Sequence, residues 1–220
     1  MNIHAYILGI IGILEVALAI WFLVKYKRTL AIVWFAIFVF GIAGWVLSNS
    51  LLYATLDYQF LADRLVWFFG VVLTGSFLLF CRYFPYSVTE EKKSDILYFL
   101  APVLFFAFVI FVSKNFIITL DYNYNPPVFN FGPLFFLFPL FFFSYWFYSI
   151  YQLVIKFRKS DGIHRWQLRL LLWGVCLSFT FGAIFDVIFN WLKITGFEMI
   201  GSESTIFLLA FTTYIIFKRK

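Results

Sequence analysis

Charged residues are scarce in this chain, and no polar block of domain size interrupts its apolar runs. Only 13% of its 220 residues are charged, whereas 64% are apolar and 25% are aromatic. A soluble domain usually contains about half apolar and a quarter charged residues. The composition therefore excludes an ordinary soluble domain and predicts a single integral membrane domain.

Residues and motifs that carry chemistry are equally scarce. The two cysteines, Cys81 and Cys176, fall toward the predicted cytoplasmic half, so we expect packing residues and no disulfide framework. His4 and His164 fall on opposite sides of the predicted membrane, which excludes a two-histidine metal site. Phosphate-binding loops, zinc-protease motifs and serine nucleophile elbows do not occur in the sequence. We therefore expect no catalytic residue, no metal and no cofactor.

Seven apolar runs are predicted to cross the bilayer, the last of them short. The fold class is therefore all-α, a polytopic membrane protein with a seven-transmembrane helix bundle. Between the fourth and fifth runs, residues 114–132 form a polar outer loop in which FIITL and VFNFG flank DYNYNPP, a pattern typical of a hairpin or lid. A retinal-binding pump is excluded because the last run has no buried lysine. The predicted spans are 5–24, 30–53, 62–84, 96–113, 133–155, 166–191 and 204–217.

The distribution of lysine and arginine predicts the orientation. Fourteen of the 17 basic residues fall on one side of the seven spans, and only Arg64, Lys114 and Lys193 fall on the other. The amino terminus is therefore expected outside and the carboxyl terminus in the cytoplasm. The basic excess fits the anionic inner leaflet of the bilayer, and no nucleic acid is expected as a partner.

The third span carries a charge pair near its outer end and small residues further along. Asp63 and Arg64 are expected to be surface or interfacial charges. Gly70 and Thr74 form a narrow stripe where another helix could approach closely.

Two acidic residues fall at membrane depth, where an ionisable group costs at least about 2.5 kcal/mol. Glu15 lies in the first span, and Asp186 lies in the sixth on a stripe with Gly174, Ser178 and Gly182. Two readings stay open. In one, both carboxyls line a polar pocket that binds a small ligand or couples to protons. In the other, each is neutral or hydrogen-bonded and fixes helix register. The other candidate pocket residues are Ser48, Asn49 and Asn190.

The order of these features resembles the seven-helix membrane region at the amino terminus of many bacterial sensor histidine kinases. The resemblance rests on WVLSNSLLY, on FLADRLVWFFG running into LLFCRYFP, on HRWQLRLLLWG, and on a last span that leads to a basic segment. It implies a sensing domain in the bacterial inner membrane that signals to a cytoplasmic output. The sequence contains no phospho-accepting dimerisation helix and no ATP-binding domain, so kinase activity is not expected of it.

The expected function is thus a non-catalytic, receptor-like sensor of an extracellular or intramembrane ligand. Its expected partners are the lipid bilayer, a separate cytoplasmic signalling protein and a second copy of the chain. The alternative is a small transporter or proton-coupled carrier, although no internal repeat typical of such proteins is evident. A structural membrane subunit that docks a partner is a third reading.

Overall fold

The structure, a computed structural model, describes residues 3–26, 29–54, 58–86, 93–121, 128–189, 192 and 198–217. These residues form seven α-helices, two short 3-10 helices, one π-helical segment and one antiparallel β-hairpin. The α-helices are α1 (Ile3–Lys25), α2 (Leu30–Ala54), α3 (Gln59–Tyr83), α4 (Leu97–Phe111), α5 (Leu137–Lys159), α6 (Gly162–Gly182) and α7 (Glu198–Phe217). The hairpin consists of β1 (Ile117–Asp121) and β2 (Val128–Phe131).

The apolar runs fold as helices because a helix satisfies its backbone hydrogen bonds internally, as hydrocarbon requires. Each predicted span overlaps one of the seven helices, so the helical fold and the hairpin in the 114–132 loop are confirmed. Within the described residues, α1, α2, α3 and the segment Pro133–Lys159 that ends with α5 are long and apolar enough to cross a membrane, and α4 is a shorter apolar helix. The number of crossings stays a prediction.

Contacts divide the chain into two compact units, Met1–Trp146 and Phe147–Lys220. In the first unit, α1 and α2 run antiparallel: Ser50 Oγ donates a hydrogen bond of 2.6 Å to the Ala5 carbonyl, and the Phe22 and Phe35 rings meet at 5.0 Å. Glycines allow close packing where helices meet. A Cβ added at Gly41 of α2 would lie 2.8 Å from the backbone of α3, so that position admits no side chain.

The hairpin is part of the first unit's core. Ile117 pairs with Phe131 where the two strands meet the helices, and Phe116 precedes the first strand. These aromatic and aliphatic side chains pack with residues of α3, α4 and α5 into a buried cluster that we call the hairpin core. It consists of Trp67, Val71, Phe106, Val109, Ile110, Phe116, Ile117 and Phe138.

The opposite end of α3 is held by a buried acid. Arg82 Nη2 lies 3.0 Å from Asp95 Oδ1, and the Tyr83 hydroxyl donates to Asp95 Oδ2 at 2.7 Å. Asp95 belongs to the 3-10 helix Lys93–Ile96, which leads directly into α4. We call Arg82, Tyr83 and Asp95 the Asp95 cluster. Through it, the end of α3 is tied to the start of α4.

In the second unit, α6 packs against α7. A Cβ added at Gly174 would lie 3.2 Å from Phe211 Cβ, and the Leu208 N–H donates to Ser178 Oγ at 3.2 Å. Beyond Gly182 the helix changes period: residues Ala183–Ile188 are π-helical.

The prediction that both cysteines pack inside the protein holds for one of them. Cys81 is buried on α3, as expected, whereas Cys176 is exposed on α6. The prediction was wrong for Cys176 because α6 turns it away from the face that packs against α7.

The base of the hairpin generates a stability prediction. Gly132 donates its N–H to the Phe116 carbonyl at 2.9 Å, and an added Cβ would overlap the backbone carbonyl of Asn115. Gly132→Ala should therefore lower the free energy of unfolding by about 1–3 kcal/mol, measured by thermal unfolding in detergent micelles. The control is Gly75→Ala, whose added Cβ would lie 3.1 Å from Cδ2 of the Phe99 side chain, which can shift, so it should lower stability less. Equal effects of the two variants would contradict the close approach at Gly132.

Candidate functional site

The predicted pocket residues of the first unit lie on α1 and α2. Ser48 Oγ donates to the Gly44 carbonyl at 2.6 Å, and Asn49 Nδ2 donates to the Trp45 carbonyl at 3.1 Å. Both side chains thus bond back to the preceding turn of α2, as short polar side chains do inside membrane helices. These two bonds serve the helix itself and join neither side chain to another predicted pocket residue.

The remaining predicted pocket residues, Asp186 and Asn190, belong to the second unit. Asp186 falls in the π-helical segment, where the Phe189 N–H donates to the Ile184 carbonyl five residues earlier. A π-helix departs from the four-residue repeat on which the predicted stripe from Gly182 to Asp186 was based. Asn190 and the side chain of Asp186 lie outside the described residues. The pocket that would join them to Glu15 stays a prediction.

Glu15 occupies the buried face of α1. Its side chain is 5% exposed, and neither carboxyl oxygen has a hydrogen-bond partner among the described residues. The antiparallel register of α1 and α2 puts it level with Val39, Ile42 and Ala43 of α2, which are all buried and apolar. The remaining members of the buried α1 face are Ala5, Leu8, Gly12, Ala19 and Phe22. Glu15 is therefore an acid in an otherwise apolar contact between helices.

A second set of buried polar residues lies where α3 begins, beneath the hairpin. Gln59, Asp63 and Trp67 follow one another at four-residue spacing, so they share one face of the helix. Asp63 is fully buried and Gln59 is 6% exposed. The prediction that Asp63 is a surface charge was therefore wrong, whereas its place near the membrane interface stays a prediction. The helix starts at Gln59, earlier than predicted, which puts Asp63 in its second turn and against the core.

Trp67 connects this polar face to the hairpin. Its indole N–H donates to Asp63 Oδ1 at 3.1 Å. Its ring meets four phenylalanines edge-on, at centroid distances of 6.2 Å, 5.5 Å, 5.0 Å and 5.0 Å. They are Phe116, which precedes β1, Phe131 on β2, Phe135 in the 3-10 helix Pro133–Phe136, and Phe138 on α5. Edge-to-face geometry is favourable for aromatic pairs.

Arg64 turns away from Asp63 and binds the end of α4. Its Nη1 donates to the carbonyls of Ile110 and Phe111 at 2.6 Å and 2.7 Å, and its guanidinium lies 4.4 Å from the Phe60 ring centroid. A cation at a helix carboxyl end complements the helix dipole. The Arg64 charge is thus directed at α4, and no ion pair with Asp63 is present among the described contacts.

Further along α3, Gly70 and Thr74 lie on the buried face. A Cβ added at Gly70 would lie 3.1 Å from Phe138 Cζ of α5, and Thr74 Oγ1 donates to the Gly70 carbonyl at 2.8 Å. Within the described ranges, no three His, Cys, Asp or Glu side chains gather into a group that could hold a metal ion. The side chains of Gln59, Asp63 and Trp67 can exchange hydrogen bonds, and the Asp63 carboxyl can exchange a proton.

Sequence reasoning missed Gln59, Asp63 and Trp67 as a set. The signal was present in QFLADRLVW, where polar or polar-tipped residues recur every four positions at the start of an apolar helix. It was hidden because the neighbouring Arg64 makes Asp63 resemble half of an exposed charge pair.

A model of a protein family described as the N-terminal 7TM region of histidine kinase matches residues 7–218. The chain belongs to this family. No curated protein and no solved structure gives a significant match. As a histidine kinase 7TM region, the chain is a membrane-embedded, multi-pass sensor domain of signal transduction.

Glu15 of this 7TM region supplies a stability test. An unpartnered buried polar group costs about 1–3 kcal/mol, so replacing it with an apolar residue of similar volume should stabilise the fold. We expect Glu15→Leu to raise the thermal midpoint of the purified protein, whereas Leu8→Ala on the same buried face should lower it. A lower midpoint for Glu15→Leu would mean that the carboxyl has a stabilising partner.

Proposed function

We propose that this 7TM region is a non-catalytic, receptor-like sensor in the bacterial inner membrane. In this proposal it crosses the membrane seven times, with its amino terminus outside and its carboxyl terminus in the cytoplasm. It senses an extracellular or intramembrane signal and passes it to a cytoplasmic signalling protein. The observation that carries the proposal is the packing of the hairpin on Trp67 of α3.

The position of Trp67 supports transmission along α3. The helix is 25 residues long, which corresponds to about 37 Å at 1.5 Å per residue. Its first turns touch the hairpin, and its last turn carries Arg82 of the Asp95 cluster. A change in the packing of the hairpin core would therefore act on a single continuous helix that ends at the other side of the unit.

The charge distribution supports the orientation. The hairpin end of the first unit carries Arg64 and Lys114, whereas the opposite end carries Arg82 and is followed along the chain by Lys92 and Lys93. Basic segments are retained on the cytoplasmic side. The hairpin is thus proposed to face outward, toward the source of a signal.

The proposed signal is a shift between two packings of the bundle. A ligand produces such a shift only when it binds one packing better than the other. The hairpin core suits this requirement because its rings come from α3, α4, α5 and the hairpin, so a ligand that displaces the hairpin changes contacts on three helices. The basic cytoplasmic segments, including Lys218, Arg219 and Lys220, would then report the change to a partner or to a second copy of the chain.

Transmission along α3 can be measured by hydrogen–deuterium exchange in nanodiscs. Trp67→Ala removes the ring that four phenylalanines contact, so we expect faster exchange in the hairpin. Residues 93–98, which the Asp95 cluster ties to the other end of α3, should also exchange severalfold faster.

The matched control is Phe22→Ala, which removes a fully buried ring from α1 that contacts Phe35 of α2. It should accelerate exchange in α1 and α2 while leaving residues 93–98 nearly unchanged. If Trp67→Ala changes exchange only within the hairpin, α3 does not transmit the perturbation and the proposed mechanism fails.

A further inference from the structure

Two buried acceptor oxygens on α3 have no hydrogen-bond partner among the described residues: Gln59 Oε1 and Asp63 Oδ2. Both belong to side chains that are more than nine-tenths buried. They lie four residues apart on one helix face, where Cβ atoms are about 5–6 Å apart. Buried acceptors without donors are rare in native proteins, so each such atom requires an explanation.

Neighbouring groups fix which atom of each side chain is left over. Gln59 Nε2 donates to the Leu52 carbonyl at 3.1 Å, so the amide oxygen cannot take that position. Trp67 Nε1 donates to Asp63 Oδ1 at 3.1 Å, so the second carboxyl oxygen is the one left without a donor. Each side chain is therefore anchored by one atom and presents a bare acceptor with the other.

No described cation forms an ion pair with Asp63. Arg64 is directed at the Ile110 and Phe111 carbonyls. Neither α2 nor α4 contains a charged residue, and the first charged residue of α5 is Lys156. The other titratable or charged residues of these elements are Tyr53 on α2, Tyr98 on α4, Tyr145, Tyr148 and Tyr151 on α5, Lys114 before β1 and Asp121 within it. Lys114 is exposed.

We propose that Asp63 and Gln59 form a proton-binding site at the hairpin end of α3. A proton taken up from the aqueous phase forms one O–H bond at Asp63 Oδ2, and that hydroxyl then donates to Gln59 Oε1. One proton thus supplies the donor that both bare acceptors lack and removes an unpaired buried charge. Asp63 lies only about 6 Å along the axis from the first residue of the helix, which keeps the site close to the membrane surface.

The proton site would give the proposed sensor a specific signal. Its role in sensing rests on the proposed function, whereas proton binding itself does not. Trp67 bonds to the same carboxyl and contacts the hairpin, so proton loss at Asp63 would alter the packing of the hairpin core. Since the folded chain holds a proton that the unfolded chain releases, stability should fall as the pH rises.

The test is infrared spectroscopy of the whole chain in nanodiscs, together with thermal unfolding, between about pH 5 and pH 8. The wild type should show a protonated carboxylic acid C=O band that weakens as the pH rises. Asp63→Asn should lack this band, and its thermal midpoint should lose the corresponding pH dependence, because its amide can accept from Trp67 and donate to Gln59 without titrating.

Two further variants keep the inference falsifiable if Asp63→Asn does not fold. Gln59→Leu removes the proposed acceptor and should move the midpoint of the band's titration to lower pH. Glu15→Gln removes the buried acid of α1, which lies outside the proposed site, and should leave that band in place. A carboxylic acid band that is unchanged by Asp63→Asn, or a titration that is unchanged by Gln59→Leu, would overturn the proton site.

Hydrogen–deuterium exchange separates this inference from the sensor assignment. Exchange rates are first corrected for the intrinsic pH dependence of amide exchange. If the infrared titration depends on Asp63 while the corrected exchange in the hairpin does not change with pH, the proton site stands and its sensing role fails. If both change together, proton binding is coupled to the hairpin.

Discussion

The arrangement of the first unit depends on one indole ring. Trp67 is the residue at which α3, the hairpin, the 3-10 helix before α5, and α5 itself meet. Each aromatic pair of this kind contributes about 0.5–1.5 kcal/mol beyond area burial. The ring cannot rotate freely, since its N–H is bound to Asp63. Hairpin position, helix packing and the state of a buried carboxyl are therefore linked through a single side chain.

Buried polar groups in a bilayer cost stability, and among the described residues Glu15 and Asp63 are buried acids that form no ion pair. They differ in setting. Glu15 lies between α1 and α2 with no donor among the described residues, whereas Asp63 is held by Trp67 and lies beside the hairpin. The second arrangement joins an ionisable group to a segment proposed to face outward, which is what a sensor of external conditions requires.

The helices could be predicted because apolar runs and their polar interruptions are long-range features of composition, and the hairpin because DYNYNPP separates two β-prone runs. The burial of Asp63 could not be predicted, because it depends on where α3 begins and on aromatic rings that come from the distant α5. The π-helical period at Ala183–Ile188 is equally hidden, because the small-residue repeat through Gly182 continues in sequence where the backbone changes. Local pattern gives the elements, whereas tertiary contacts select the site.

A double-mutant cycle between Trp67→Ala and Phe131→Ala tests most directly whether the indole holds the hairpin to α3. Free energies of unfolding in detergent micelles should yield a coupling of about 0.5–1.5 kcal/mol for this pair. The reference cycle of Phe131→Ala with Phe22→Ala, whose side chains lie on β2 and α1, should give additive effects. Additivity for Trp67 and Phe131 as well would contradict the account, because the hairpin would then be held without the ring on which the proposed transmission depends.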